Sequence, residues 1–275
     1  MVRKILVRTV IVATVLYGGV CAYMYFSQES LIFHPKKLSK NSTIEFGIPM
    51  AEMMLSSYDG TKLSAVFCSP QKAPGREIIF FLHGNAGNLR DQEQAAKFYT
   101  GLGYNFFTFD YRGFGKSEGE ITSETQFFRD IESMYREVQK SYPENRITVV
   151  GYSVGTASAA YIASKMNPSR LVLIAPYYSL VDMTGRKYPY IPTALLKYRF
   201  ETNLYLKETN AKTVLLVHGD KDVVLPFEGS KMLAGLLDKK SRFIPLKGQG
   251  HDDFEHNESF LNVIRGFLRK QISQP

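Results

Sequence analysis

The sequence predicts an α/β fold, a mainly parallel sheet covered by helices on both faces. Two observations carry this. From residue 77 to residue 270, short apolar runs alternate with amphipathic or small-residue stretches. That is the rhythm of buried strands alternating with helices. The second is the motif Gly151-Tyr152-Ser153-Val154-Gly155. It joins a β-branched run, 146–150, to the small-residue stretch 156–163. In that strand–turn–helix setting a G-x-S-x-G pentapeptide makes a sharp turn and presents its serine hydroxyl above the sheet.

The chain opens with Arg3, Lys4 and Arg8, followed by an uncharged run over residues 9–26. As a helix this run is about 27 Å long, barely enough for a hydrocarbon core of about 30 Å. Tyr23, Tyr25 and Phe26 would lie at the far interface, where aromatic rings favour the headgroup level. Residues 1–28 are therefore expected to form a single-pass membrane anchor, and residues 29–275 one α/β domain. The basic cluster places the N-terminus in the cytoplasm and the domain on the opposite side, although Lys36, Lys37 and Lys40 weaken that bias. A signal peptide cut after Ala22 is the alternative, giving a secreted or periplasmic protein. Val20 is too bulky for the position before a lipoprotein cysteine at Cys21.

Alternation flanking Asp59-Gly60 predicts a hairpin over 51–69 with a two-residue turn. Residues 70–75 read as a loop. The runs 77–82, 104–109, 146–150, 171–174, 213–217 and 242–246 read as strands. The stretches 89–102, 122–142, 226–237 and 258–270 read as helices. Residues 177–208, rich in Tyr and Pro, interrupt this rhythm. They are expected to form a small cap beside the active site. Tyr177, Tyr178, Tyr188, Tyr190 and Tyr198 would give it an apolar, partly polar-rimmed pocket.

Composition excludes several classes. The formal charge is +8, but the basic residues are scattered and form no stripe for nucleic acid. A solvated surface facing anionic lipid fits better. Cys21 and Cys68 are unsuited to a bridge, and no spacing suggests a metal. Gly115-Lys116-Ser117 resembles the end of a phosphate-binding loop, but Asp110 stands where that pattern needs glycine. No cofactor is expected.

A serine hydroxyl needs a base, and the base needs a carboxylate to orient it. In the order nucleophile, acid, base, the search after Ser153 yields two histidines, His251 and His256. His251 lies in a Gly-flanked loop between the last strand and the last helix, whereas His256 lies nearer that helix and reads as solvated. Asp222 sits farther past the strand end than Asp220 and is the expected acid. Asp220 is expected to cap the turn. The oxyanion donors are the backbone N–H of Val154, directly after the nucleophile, and that of Asn85 after His83-Gly84. His83 itself reads as a strand-end residue holding loops together. Asp110 and Arg112 are expected to make structural contacts beneath the site.

The segments 83–88, 110–117, 151–155, 218–222 and 250–252 occur in order, and together they resemble the α/β-hydrolase superfamily. Within it the chain is similar to single-pass serine hydrolases of the depalmitoylase-like branch, over roughly residues 30–270. The resemblance implies an eight-stranded, mostly parallel sheet and an acyl-enzyme mechanism with Ser153, Asp222 and His251 as nucleophile, acid and base. The expected substrate is a small or lipid-like acyl ester or thioester, or an acylated protein. A serine peptidase and a non-catalytic membrane-tethered interaction protein are the alternatives.

Overall fold

The computed structural model describes residues 1–71 and 75–269. Residues 72–74 of the expected loop 70–75 and the end of the last helix at residue 270 lie outside them. Eight strands form one sheet: β1 (Met50–Ser56), β2 (Lys62–Cys68), β3 (Ile78–Leu82), β4 (Asn105–Phe109), β5 (Ile147–Tyr152), β6 (Arg170–Ile174), β7 (Val214–Gly219) and β8 (Arg242–Leu246). Their spatial order is β8-β7-β6-β5-β3-β4-β2-β1. The pairs β1–β2 and β2–β4 are antiparallel and the others parallel. Pro245 lies in β8, an edge strand, where a missing N–H breaks no ladder.

The period of two along β3 divides the core. Phe80 stacks on Phe107 on one face, and Phe81 packs near Phe106 and Tyr99 on the other. The first face is covered by α4 (Glu124–Gln139), α5 (Gly155–Lys165) and α8 (Phe227–Ala234). The second is covered by α3 (Glu93–Gly101) and α9 (Glu258–Arg269). Helix α4 buries Phe127, Phe128, Ile131, Met134, Tyr135 and Val138, the three-and-four spacing of one helical face. Ser123 caps it, accepting the N–H of Gln126 at 3.1 Å. Helix α5 turns Ala157, Ala159, Ala160 and Ala163 inward, so that it can lie close to the sheet.

The N-terminal helix α1 covers Val2–Phe26, with none of its residues buried. It is longer than the uncharged run because Arg3, Lys4 and Arg8 continue the helical turn. At 25 residues it is long and apolar enough to cross a membrane. A short helix α2 (Gln28–Ile32) follows. Residues His34 and Pro35 then pair in parallel with Ala86 and Gly87.

Two expectations are corrected. Strands β1 and β2 form the hairpin, but its ladder closes with Ser57 N–H donating to the Thr61 carbonyl at 2.8 Å. Three residues cross over rather than two. Asp59 reaches Arg112 at 2.8 Å and Ser57 bonds Asp130, which draws this turn onto α4. In the segment 177–208, α6 (Leu180–Lys187) and α7 (Thr202–Lys207) form, and of its five expected pocket tyrosines only Tyr188 lines a cavity among the described residues. Tyr177 and Tyr198 are buried in the core, the latter against Phe33 and Phe200, while Tyr190 is 84% exposed.

Candidate active site

The site is built at the end of β5. Strand β5 ends at Tyr152, helix α5 starts at Gly155, and Ser153 sits between them at φ +54°. That left-handed conformation is strained for a residue with a Cβ and needs surrounding support. Ser153 N–H donates to the Ile174 carbonyl at 3.0 Å, and its own carbonyl accepts from Thr156 N–H at 2.9 Å. The two flanking glycines are required by close approach. A Cβ on Gly155 would lie 2.2 Å from the Leu82 carbonyl oxygen, and one on Gly151 would lie 2.4 Å from the Gly155 carbonyl oxygen.

Ser153 Oγ lies 3.1 Å from His251 Nε2, and His251 Nδ1 lies 2.7 Å from Asp222 Oδ2. The three expected residues, distant in sequence, are thus one connected chain of hydrogen bonds. Asp222 Oδ1 accepts the N–H groups of Val224 and Leu225, each at 2.8 Å. Burial alone would raise the Asp222 pKa. Hydrogen bonds from His218, His251 and Leu225 outweigh it and hold the carboxyl well below its ordinary value. An ionised Asp222 only accepts, so Nδ1 of His251 carries the ring proton. Nε2 then offers its lone pair to the serine hydroxyl, the arrangement of a general base.

The two oxyanion candidates lie at the same place. Val154 precedes the first turn of α5, whose aligned peptide dipoles put positive charge there. Gly84 abuts the serine, since a Cβ on it would lie 3.5 Å from Ser153 Cβ. Asn85 follows, its side chain donating to the Ile32 carbonyl at 2.7 Å and its carbonyl accepting from His34 N–H at 2.7 Å. Among the described residues no acceptor in the chain takes the N–H of Asn85 or Val154. Ser153, His251, Asn85 and Val224 line a groove of about 310 Å³. Four carboxylates, Asp91, Asp252, Asp253 and Glu255, also line it. Among the described lining residues none comes from 177–208, so that segment does not roof the serine.

Other expected residues fall elsewhere. His256 is exposed. Asp220 does not simply cap its own turn: its carboxylate accepts Gly248 N–H at 2.6 Å and ties the β7 loop to the histidine loop. Arg112 pairs with Asp130 (2.6 Å) and Asp59 (2.8 Å). Asp110 stands apart from that network, beside His83, whose Nε2 is 3.9 Å away. Burial pushes the Asp110 carboxyl up to about 8 and the His83 imidazole down to about 4. This contact is therefore a neutral pair, too long for a hydrogen bond. His83 Nδ1 donates to the Gly84 carbonyl at 2.8 Å, and Tyr111 hydroxyl donates to the His83 carbonyl at 2.8 Å.

Two residues of the site carry roles that the sequence pattern did not reveal. His218 is buried and places Nε2 3.0 Å from Asp222 Oδ2, so the carboxylate serves two imidazoles. Its Nδ1 meets Ser230 Oγ, which also contacts the Pro176 carbonyl. Tyr152 hydroxyl shares its one proton between Asp252 Oδ1 at 2.7 Å and the His251 carbonyl at 3.0 Å. It bolts the histidine loop to the residue preceding the serine. A histidine four residues before the acid is the only trace of the first contact in the sequence. The second leaves none.

Comparison with known proteins agrees with this fold. Residues 73–213, just over half of the chain, match the family model described as serine aminopeptidase, S33. Residues 197–272 match a model described as TAP-like protein. The chain belongs to the α/β-hydrolase superfamily, and hydrolase activity is the general function that this membership supports. It is similar to alpha/beta hydrolase domain-containing protein 17B of Homo sapiens, with 27% identity over 80% of this chain and 75% of that protein. An uncharacterized protein of Mycobacterium tuberculosis strain H37Rv is 26% identical over 94% of this chain and 93% of its own length. Among solved structures, the Pyrococcus furiosus esterase Pf2001 superposes with a TM-score of 0.70 at 19% identity, covering 86% of this chain and 97% of that one. The esterase Est1E of Butyrivibrio proteoclasticus gives 0.66 at 18% identity, covering 81% and 99%. Those two likenesses concern the fold.

Proposed function

We propose that this protein is a serine hydrolase that cleaves carboxylic ester or thioester bonds through an acyl-enzyme. Ser153 Oγ attacks the acyl carbon while His251 Nε2 takes its proton. The tetrahedral oxyanion rests on the N–H groups of Val154 and Asn85, a donor set in which each member is typically worth 10²–10³ in rate. Collapse breaks the bond to the alcohol or thiol, which leaves with the proton from Nε2. Water then attacks the acyl-serine by the same relay and releases the acid. Asp222 fixes the imidazole tautomer and stabilises the imidazolium. No step calls for a cofactor. In this reading residues 1–28 anchor residues 29–275 to a membrane, with the N-terminus cytoplasmic.

The observation that carries the reading is the continuous path Ser153 Oγ–His251 Nε2–Asp222 Oδ2, at 3.1 and 2.7 Å, beside a serine in a strained turn. The test is turnover of p-nitrophenyl esters from short to long acyl chains. The wild type hydrolyses them and Ser153→Ala does not. Equal turnover by the two would refute the assignment.

A second reading has its own support. The four carboxylates lining the groove would favour a substrate with a free amine, and the S33 model is described as a serine aminopeptidase. Preferential release of p-nitroaniline from aminoacyl anilides, over hydrolysis of uncharged esters, would establish that reading instead.

A further inference from the structure

A second cavity, of about 380 Å³, lies between the end of α1, helix α2 and the 180–196 part of the chain. Its walls are mostly apolar. Met24 and Tyr25 come from the last turn of α1 and Leu31 from α2, while Met183, Ile191 and Leu196 face them. Its size falls within the range of ligand pockets, about 300–1,000 Å³.

The opposite wall is fixed to the membrane-helix side by specific bonds. Gln28, only 6% exposed, donates to the Leu195 carbonyl and accepts Lys197 N–H, both at 2.8 Å. Glu29 pairs with Lys197 at 3.1 Å. Farther up, Tyr17 hydroxyl donates to the Tyr190 carbonyl at 2.7 Å. Tyr17 precedes Phe26 by nine residues, about 13 Å of helix. The tip at 188–192 therefore lies alongside α1 about 13 Å back from its exit, at the depth of the membrane-facing run. Tyr188 and Tyr190 are exposed there, 42% and 84%, and present aromatic surface beside α1. The cavity is thus bounded on one side by a helix whose natural solvent is hydrocarbon. On its inner side Ile32 lines the cavity, and the Ile32 carbonyl is held by Asn85 of the candidate catalytic groove.

We infer that this cavity is a binding site for the acyl chain of a bilayer lipid, entered sideways from the membrane, with the tip at 188–192 lying against α1 within the near leaflet. The site rests on the membrane-anchor reading of α1, and its test separates the two. The chain contains no tryptophan, so one introduced tryptophan is the sole indole reporter. Full-length Met183→Trp is reconstituted in phosphatidylcholine vesicles whose chains are either unmodified or brominated at mid-chain. Leu196→Trp reports from a neighbouring position in the lining, should Met183→Trp fail to fold by circular dichroism. Leu16→Trp reports on α1 itself.

The site predicts that brominated chains quench the cavity reporters to about the extent that they quench Leu16→Trp, since bromine acts only at contact. Quenching of Leu16→Trp with unchanged cavity emission would overturn the site and leave the anchor intact. Failure to quench all three would overturn the anchor and the site with it.

Discussion

Replacing Asp222 by asparagine tests the relay at its most constrained atom pair. Oδ1 accepts two backbone N–H groups at 2.8 Å, and Oδ2 accepts His251 at 2.7 Å and His218 at 3.0 Å. An amide can keep its oxygen on only one side. Turned so that its NH₂ meets the N–H groups of Val224 and Leu225, it loses both acceptor contacts and leaves the Leu225 donor, on a buried residue, unsatisfied at about 1–3 kcal/mol. The other orientation is preferred, with NH₂ facing the imidazoles. The introduced amide must then donate to His251 Nδ1, which forces the ring proton onto Nε2. That nitrogen now points a proton at Ser153 and cannot accept one. Loss of the correct tautomer lowers kcat by about 10⁴, or about 5.5 kcal/mol of barrier. KM changes little, because Asp222 is buried away from the substrate. The assay is steady-state hydrolysis of p-nitrophenyl acetate at neutral pH, with a melting curve to show that the variant is folded. A folded Asp222→Asn keeping more than about a hundredth of kcat would refute the tautomer argument.

Three further outcomes are expected. Tyr152→Phe removes the hydroxyl that holds the His251 loop but keeps the ring against Phe254. A bond to a charged group is worth about 1.5–3 kcal/mol, so kcat should fall by about one to two powers of ten with KM nearly constant; a lower Tm at unchanged kcat would mean that the hydroxyl serves only the fold. Gly155→Ala drives a Cβ to within 2.2 Å of a backbone oxygen that cannot move freely, so it should destabilise by about 1–3 kcal/mol and lower Tm by several degrees; a melt identical to the wild type would contradict the close approach. Asp110→Asn addresses a carboxyl raised from 3.8 to about 8 by burial. Between those values the folded chain keeps a proton that the unfolded chain has released, so stability falls as pH rises across the window. The variant lacks this loss, and its Tm relative to wild type should climb from about pH 4 to about pH 8; parallel Tm curves would show that Asp110 ionises normally.

The sheet was readable because each strand in its centre is a short apolar run set between polar or glycine-bearing loops. Ile78–Leu82 and Ile147–Tyr152 are of this kind. The elbow was readable because it joins two textures, and because close approach leaves room only for glycine at 151 and 155. Ser153, His251 and Asp222 follow from chain order and loop position, and the structure brings them into contact. What the sequence hides is lateral. Nothing in the spacing of His218 says that it shares an oxygen with His251. The pairing of residues 34–35 with 86–87, which pins the Asn85 loop to the chain just after α2, joins two runs without strand character. The tyrosines of 177–208 look alike as letters, yet Tyr198 is buried and Tyr190 is exposed. Which side each takes depends on the surface that Phe33 and Phe127 provide, and that surface exists only after folding.

The most direct measurement is reaction of the full-length chain with a fluorophosphonate, followed by peptide mass mapping. The relay predicts one phosphonyl adduct, on Ser153, forming rapidly in the wild type and slowly in His251→Ala. An adduct on a different residue, or equal reaction of Ser153→Ala, would contradict it.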